Sequence, residues 1–200
     1  MATTLLDRPQ AATETLSEHS DEPRKRWTRA EYRKLGEDGF LSDGKYELVL
    51  GEIWKKQDKS RKHVFVVMSL LRTLGAVFGF YHIQSQASLP VGDDEPEPDA
   101  AVLAQTLEHY LEIEPTEKDT LLVAEASDST LRPDLARKVR QYGSVGIPEY
   151  WVVDIPNRLL HVFRSPTKTG YADKTILTID DEVRPLAALD SAVRVADLLP

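Results

Sequence analysis

The segment that most constrains the fold is a strand–helix–strand sequence between residues 120 and 155. TLLVAEAS (120–127) and YWVVDI (150–155) have the composition of buried strands. Between them, PDLARKVRQYGSVG (133–146) has helical periodicity, with proline in its first turn and glycine near its end. A helix that joins two strands of one sheet is a crossover, which is right-handed and makes the two strands parallel. The segment therefore predicts a sheet with at least one parallel pair.

The flanking sequence predicts further strands and two more helices. YELVLGEIWKKQD (46–58) predicts a hairpin that turns at Leu50-Gly51. TRAE (28–31) has the form of a capping box that opens a short helix, and HVFVVMSLLRTLGAVFGF (63–80) has the length of a core helix. The remaining strands are predicted at 82–91, 97–104, 159–165 and 170–179. The chain is therefore predicted to be of the α/β class, with a mixed β-sheet flanked by helices.

Length and composition fit one domain behind a polar N-terminal tail. The chain has 200 residues, of which 41% are hydrophobic, which suffices for one packed core. Residues 1–26 are mostly polar and lack periodicity, so we expect a disordered tail, with the folded domain at 27–200. The chain has no cysteine, which excludes disulfides and thiolate metal ligands. Without a membrane-length apolar run or a signal-peptide pattern, the expected location is cytoplasmic.

The charge distribution limits where a nucleic acid could bind. The net charge is −8, so any anion-binding surface must be a local patch. Two basic segments could contact phosphates: WKKQDKSRK (54–62) and RPDLARKVR (132–140). Two acidic segments, at 93–99 and 108–119, would repel DNA if they lined the same cleft. Lysine and arginine on strands and helices also commonly face solvent without a function, so these segments alone leave the question open.

Glu125 is the first candidate functional residue. In the alternation of strand 120–127, Leu121, Val123, Glu125 and Ser127 share one face. A buried carboxylate costs several kcal/mol unless a cation or hydrogen-bond donors satisfy it. Asp99 stands at the start of strand 97–104, and the two acids would converge at one end of the sheet if these strands were neighbours. Hard oxygen ligands of this kind suit Mg²⁺ or Mn²⁺, although Asp99 after a proline could also be a turn residue.

A lysine on the crossover helix is the second candidate. The core face of that helix is predicted from positions i, i+4 and i+7: Leu135, Val139 and Tyr142. Lys138 falls at the edge of this face and could reach Glu125, whereas Arg137 and Arg140 are predicted on the solvent side. Asp134 could hold the lysine through an i,i+4 contact. The alternative is a solvated Asp–Lys pair without function.

The order of several segments resembles the Uma-two family, restriction-endonuclease-like proteins of the PD-(D/E)xK nuclease superfamily. The resemblance covers residues 27–200 and rests on YELVLGEI, His63 at a helix start, EPDAAVL, LVAEASDST, DLARKVRQY and GIPEYWVVD. It implies a restriction-endonuclease-like core and a metal-dependent endonuclease that uses Mg²⁺ or Mn²⁺. It also implies a nucleic-acid substrate, with DNA expected, and no membrane association. A homodimer would suit an enzyme that cuts two strands.

The resemblance also assigns roles to individual residues. Asp99 corresponds to the superfamily's PD aspartate, Glu125 to its second acid, and Glu47 to an acid contributed upstream. These three would hold the metal and, with a lysine, form the catalytic set. The superfamily lysine normally follows the second acid by two residues, and that position is Ser127 here. The resemblance implies that Lys138 replaces it; if Lys138 cannot reach, the site would bind metal without catalysis.

Two other functions are compatible with these residues. One is a binding or assembly module that keeps the nuclease core without turnover, which the serine at position 127 and the acidic surface favour. The other is the hydrolysis of a different phosphate ester at the same metal site. For His63 the sequence leaves two alternatives, a contact with a phosphate or no chemical role. Glu52 is expected to face solvent, and Asp154 is expected to be a turn or cap residue.

Overall fold

The centre of the molecule is a six-stranded mixed sheet, seen in a computed structural model that describes residues 24–200. The strands lie in the order β3-β4-β5-β6-β7-β8. Their bounds are β3 Ile83–Gln84, β4 Ala100–Leu103, β5 Thr120–Ser127, β6 Glu149–Asp154, β7 Leu159–Thr167 and β8 Gly170–Leu177. Strands β5 and β6 are parallel, and every other neighbouring pair is antiparallel. The predicted α/β class and the parallel pair are both confirmed.

Two small antiparallel pairs and the helices complete the fold. The pairs are β1 Tyr46–Val49 with β2 Glu52–Lys55, and β9 Glu182–Val183 with β10 Val193–Arg194. The helices are α1 Arg29–Glu37, α2 Arg61–Phe78, α3 Leu131–Pro133 and α4 Val139–Ser144, and a π-helical turn at Asp134–Lys138 joins α3 to α4. We call residues 131–144 the crossover helix. Short 3₁₀ turns occur at 80–82, 107–110, 117–119, 186–188 and 195–198.

The sheet is covered on both faces. Helix α2 packs on one face through Val66, Leu70 and Leu74, which meet Leu122, Ala124 and Ala126 of β5. The crossover helix covers the opposite face, where Tyr142 packs with Val123, Tyr150 and Val152. Alternation along β5 therefore directs Glu125 and Ser127 toward the crossover helix. Leu121 packs instead on the α2 side, against the prediction, because a register shift between β4 and β5 breaks the alternation there.

The β1–β2 hairpin is fixed beside the crossover helix by a partly buried network of hydrogen bonds. Leu50 and Gly51 both have positive φ, as a tight two-residue turn requires, and their amides donate to Asp94 at 2.7 and 2.8 Å. Gln141 of the crossover helix donates to Leu48 O at 3.2 Å and to Asp94 Oδ2 at 3.1 Å. The acidic segment 93–99 thus anchors the hairpin through Asp94, and with it Glu47 on β1.

The largest difference between the predicted elements and the structure lies at residues 82–91. The strand predicted at 82–91 is limited to β3, because Gln86 has positive φ and its amide then bonds Pro98 O at 2.9 Å. The capping box at Thr28 and Glu31 is present and opens α1 as predicted. Of the predicted N-terminal tail, residues 1–23 lie outside the described residues. Within residues 24–200, no helix is both long and apolar enough to cross a membrane.

Candidate active site

Four residues singled out in the sequence line one cavity of about 270 Å³. Glu47 comes from β1, Asp99 from the residue before β4, Glu125 from β5, and Lys138 from the end of the π-helical turn. The hairpin, the sheet and the crossover helix each supply part of this site. Residues up to 91 positions apart in the sequence therefore meet in hydrogen-bonding contact.

Asp99 and Glu125 lie side by side because β4 and β5 are antiparallel neighbours with Ala100 opposite Ala124. The Asp99 amide donates to Glu125 Oε2 at 3.2 Å, and the Ala126 amide donates to Asp99 Oδ2 at 3.0 Å. Both carboxylates are therefore oriented by main-chain groups of the adjacent strand. The convergence expected at one end of the sheet is observed.

Lys138 lies between two of the carboxylates. Its ammonium donates to Glu47 Oε2 at 2.7 Å and to Glu125 Oε1 at 3.0 Å. The side chain is only 7% exposed, so Lys138 is buried and not at the boundary position that the helical wheel predicted. The Tyr142 hydroxyl also donates to Glu125 Oε1, at 3.1 Å. Lys138 thus reaches the second acid, and the geometric condition raised by Ser127 is met.

Asp134 does not hold the lysine as predicted. Its Oδ2 accepts hydrogen bonds from the Ser127 hydroxyl and, at 2.6 Å, from the Thr130 hydroxyl. The π-helical turn that begins at Asp134 explains the difference, because i,i+5 bonding changes the angular spacing that an α-helical wheel assumes. Ser127, at the position of the usual superfamily lysine, therefore anchors the start of the turn that carries Lys138.

The same turn overturns the prediction for Arg137. Its guanidinium stacks on the Trp54 ring, 3.6 Å from the ring centroid, and both residues line the cavity. Arg140 is exposed, as predicted. The wheel placed Arg137 in solvent because it assumed α-helical spacing and could not account for a hairpin lying against that side of the helix. The sequence signal that could have revealed the contact is Trp54, a tryptophan in the short strand β2, which also contains charged residues.

His63 contacts an acid of the site. Its Nε2 lies 3.1 Å from Asp99 Oδ1, and Lys59 Nζ lies 3.7 Å from the same oxygen. Burial would lower the pKa of His63, but the hydrogen bond to Asp99 raises it. Burial would likewise raise the pKa of Asp99, and His63 lowers it. The pair therefore holds Asp99 as a carboxylate at neutral pH.

The remaining charges in the cavity are strongly coupled. Burial raises the pKa of Glu125 to about 7, assisted by the nearby Asp99 carboxylate and opposed by Lys138. Burial would lower the pKa of Lys138, but Glu125 and Glu47 raise it well above its usual value. Burial would raise the pKa of Glu47, which Lys138 instead holds below its usual value. Burial also raises the pKa of Asp134. The cavity therefore concentrates negative charge around a single buried ammonium, which favours an additional cation.

The donor set has the chemistry of a divalent-metal site. Among residues 24–200, no group of three or more histidine, cysteine, aspartate or glutamate side chains is already arranged around a metal position. Lys138 explains why the acids are not grouped around a metal position, because its ammonium lies between Glu47 and Glu125. The carboxylates of Asp99, Glu125 and Glu47 are nevertheless hard oxygen donors that open onto one cavity, which is the type of ligand that Mg²⁺ and Mn²⁺ prefer.

The other residues considered lie outside the site. Glu52 pairs with Arg26 at 2.8 Å and does not line the cavity. Asp154 accepts from the Asn157 amide at 3.1 Å, which fits the turn role expected for it. The aromatic residues Tyr150 and Trp151 are buried in the core and do not line the cavity, whereas Tyr142 is buried with its hydroxyl on Glu125.

A mixed sheet that brings three acids and a lysine into one cavity defines a nuclease-like domain of the restriction-endonuclease type. The chain belongs to the Uma2 family, described as "Putative restriction endonuclease", whose family model matches residues 29–196. The resemblance noted in the sequence is therefore confirmed. A search of the curated proteins found no match.

A solved structure shows the same fold. It is a protein from Anabaena variabilis ATCC 29413 described as a putative nuclease belonging to DUF820. The two chains are 17% identical and superpose with a TM-score of 0.64, over 86% of this chain and 96% of the other. The similarity therefore extends over nearly the whole of that protein.

Proposed function

We propose that this protein is a divalent-metal-dependent endonuclease that hydrolyses phosphodiester bonds in DNA. The observation that carries the proposal is the convergence of Glu47, Asp99 and Glu125 on Lys138 in one cavity, in a chain of the Uma2 family. Acids and a lysine held together in this way can bind a divalent cation and act on a phosphate.

In this proposal Asp99, Glu125 and Glu47 hold Mg²⁺ or Mn²⁺. Once bound, the metal would polarise the phosphate and lower the pKa of a coordinated water. Lys138 has three N–H donors, of which two are directed at Glu47 and Glu125. The third is available to orient the attacking water or to bind a phosphate oxygen. His63 keeps Asp99 ionised, and Tyr142 fixes the orientation of Glu125.

Basic side chains that line the cavity support a nucleic-acid substrate. Lys55, Lys56, Lys59 and Arg137 all line it, so the basic segment 54–62 faces the site. The acidic segment 108–119 contributes no residue to the cavity wall. Cleavage of both strands of a duplex would require two such sites, and we include a homodimer in the proposal for that reason.

The second candidate is a nuclease-fold module that binds DNA without cleaving it. The observation in its favour is the Lys138 ammonium, which satisfies Glu47 and Glu125 without a metal. This candidate predicts binding of DNA or metal with no strand scission under any divalent cation.

A cleavage assay separates the two candidates. Purified protein is incubated with duplex, single-stranded and branched DNA, in Mg²⁺, in Mn²⁺ and in EDTA. The proposal predicts cleavage that depends on the metal and is lost in Asp99→Ala and Lys138→Ala. Cleavage that survives both substitutions, or that persists in EDTA, would exclude this cavity as the metal-dependent nuclease site. Binding without scission in every metal would establish the module.

A further inference from the structure

Arg137 is distinguished from the other cations of the cavity by its lack of an acidic partner. Lys55 pairs with Asp43, Lys56 with Glu97, Lys59 and His63 with Asp99, and Lys138 with Glu47 and Glu125. Among the described residues 24–200, no carboxylate lies within 4.0 Å of the Arg137 guanidinium. Its charge is therefore available to a ligand in the cavity.

The Trp54 ring fixes the orientation of this free charge. The guanidinium lies 3.6 Å from the ring centroid of Trp54, so one of its faces is covered. A stacked arginine still has its N–H edge available, and that edge matches two oxygens of a phosphate. Stacking also limits the side-chain motion that binding would otherwise have to arrest.

The stack lies directly beside the catalytic set. Trp54 is the cross-strand partner of Glu47 in the hairpin, and Arg137 precedes Lys138 in the π-helical turn. The Glu47–Lys138 ion pair and the Trp54–Arg137 stack are therefore neighbouring contacts between the same two elements. A phosphate held by Arg137 would lie within the cavity that contains the three acids.

We infer that Arg137, oriented by Trp54, binds a backbone phosphate of the nucleic-acid substrate and positions the strand at the site. This inference rests on the proposed function, because it names a phosphate contact of the same substrate. The predicted contact is with the backbone, so it is independent of base sequence. Neither residue takes part in holding the metal.

Binding measured without cleavage tests the inference. A fluorescein-labelled duplex is titrated with the full chain in EDTA, and anisotropy is recorded over a series of salt concentrations. Arg137→Ala should weaken binding about tenfold and make the slope of log K against log salt shallower by about 0.9, the value for one phosphate contact. Arg140→Ala removes the same charge from an exposed position outside the cavity and should bind like the wild type.

Two further variants test the role of the stack. Arg137→Lys keeps the charge but cannot stack or present a planar fork, so it should also weaken binding. Trp54→Leu should weaken binding when Arg137 is present and add little in the Arg137→Ala background. Thermal melting of each variant confirms that it is folded. The role of the stack would be contradicted if the effects of Trp54→Leu and Arg137→Ala on binding were additive, or if Arg137→Lys bound DNA like the wild type.

The outcomes separate this inference from the proposed function. If DNA binding depends on Arg137 but no cleavage occurs in Mg²⁺ or Mn²⁺, the phosphate contact of Arg137 stands and the endonuclease is excluded. If the wild type cleaves DNA but binds it with the same affinity as Arg137→Ala, the proposed endonuclease stands and the phosphate contact of Arg137 is excluded. A wild type that binds no DNA in the anisotropy assay, either in EDTA or with Ca²⁺ in its place, overturns the inference.

Discussion

Lys138 is the residue on which both the stability and the proposed chemistry of the site depend. It is buried, and it donates to Glu47 and Glu125 from the centre of the cavity. A buried ion pair contributes little net stability over an apolar pair, but removal of one partner leaves an uncompensated charge. The lysine therefore stabilises an acidic cavity that would otherwise oppose folding.

Lys138→Met should accordingly destabilise the fold by about 3–5 kcal/mol, because Glu47 and Glu125 lose their cation. The free energy of unfolding from urea titration measures the effect. Adding Glu125→Gln to Lys138→Met should recover part of the loss, since one buried charge is removed. The matched control is Lys62→Met on α2, where the lysine is exposed. Equal stabilities of the two methionine variants would contradict the account.

Glu125 gives the site an unusual pH dependence. Burial raises its pKa to about 7, above the usual 4.5, so the folded state binds its proton more tightly than the unfolded state. Between these two values the folded state holds more protons, and stability falls as the pH rises through this window. The loss attributable to Glu125 should reach up to about 3 kcal/mol.

Comparison with Glu125→Gln isolates this contribution, because the amide stays neutral while every other titrating group remains. Urea titrations at about pH 4 and about pH 8, which lie on either side of this window, should show a larger drop in the free energy of unfolding for the wild type than for the variant. A drop of the same size in both proteins would show that Glu125 does not titrate in this window.

At the scale of elements, the crossover helix positions the site from two sides. Its π-helical turn directs both Arg137 and Lys138 toward the hairpin, and its C-terminal part packs closely on β8. Gly143 makes this close approach possible, because a Cβ there would overlap the main chain of Gly170. The position of the helix along the sheet, and so the reach of Lys138, depends on this contact.

Gly143→Ala should therefore destabilise the protein by about 1–3 kcal/mol or more, since main-chain atoms cannot move aside as a flexible side chain can. Gly36→Ala is the matched control, because Gly36 is also helical but has open space around its Cβ position. That substitution should stabilise α1 by about 0.5–1 kcal/mol. Thermal unfolding of both variants gives the comparison, and a neutral Gly143→Ala would contradict the packing argument.

The sequence predicted the elements well where periodicity is local. The hairpin, α2, the crossover and the alternation that directs Glu125 inward all follow from patterns within about ten residues. The π-helical turn does not, because DLARK has no feature that separates it from an α-helix. The errors at Asp134, Arg137 and Lys138 share this cause. Contacts such as Trp54 on Arg137 also depend on how the hairpin docks, which no local pattern encodes.

At the scale of the whole molecule, an acidic protein presents a cavity in which cations and acids alternate. The net charge of −8 opposes DNA binding at long range, whereas Lys55, Lys56, Lys59 and Arg137 favour it locally. Two acids of the segment 93–99 are bound to other parts of the protein: Asp94 accepts hydrogen bonds from the hairpin, and Glu95 forms an ion pair with Arg33. The balance of charge is consistent with a site that becomes fully competent for a phosphate once a divalent cation is bound.

The most direct test of the central claim compares two glutamates of the same hairpin. Glu47 faces Lys138 in the cavity, whereas Glu52, five positions along, pairs with Arg26 outside it. Rates of Mg²⁺-dependent DNA cleavage are measured for Glu47→Gln and Glu52→Gln prepared in parallel. The account predicts a loss of about 100-fold or more for Glu47→Gln and a wild-type rate for Glu52→Gln. Equal rates in the two variants would contradict the claim that this cavity is the nuclease site.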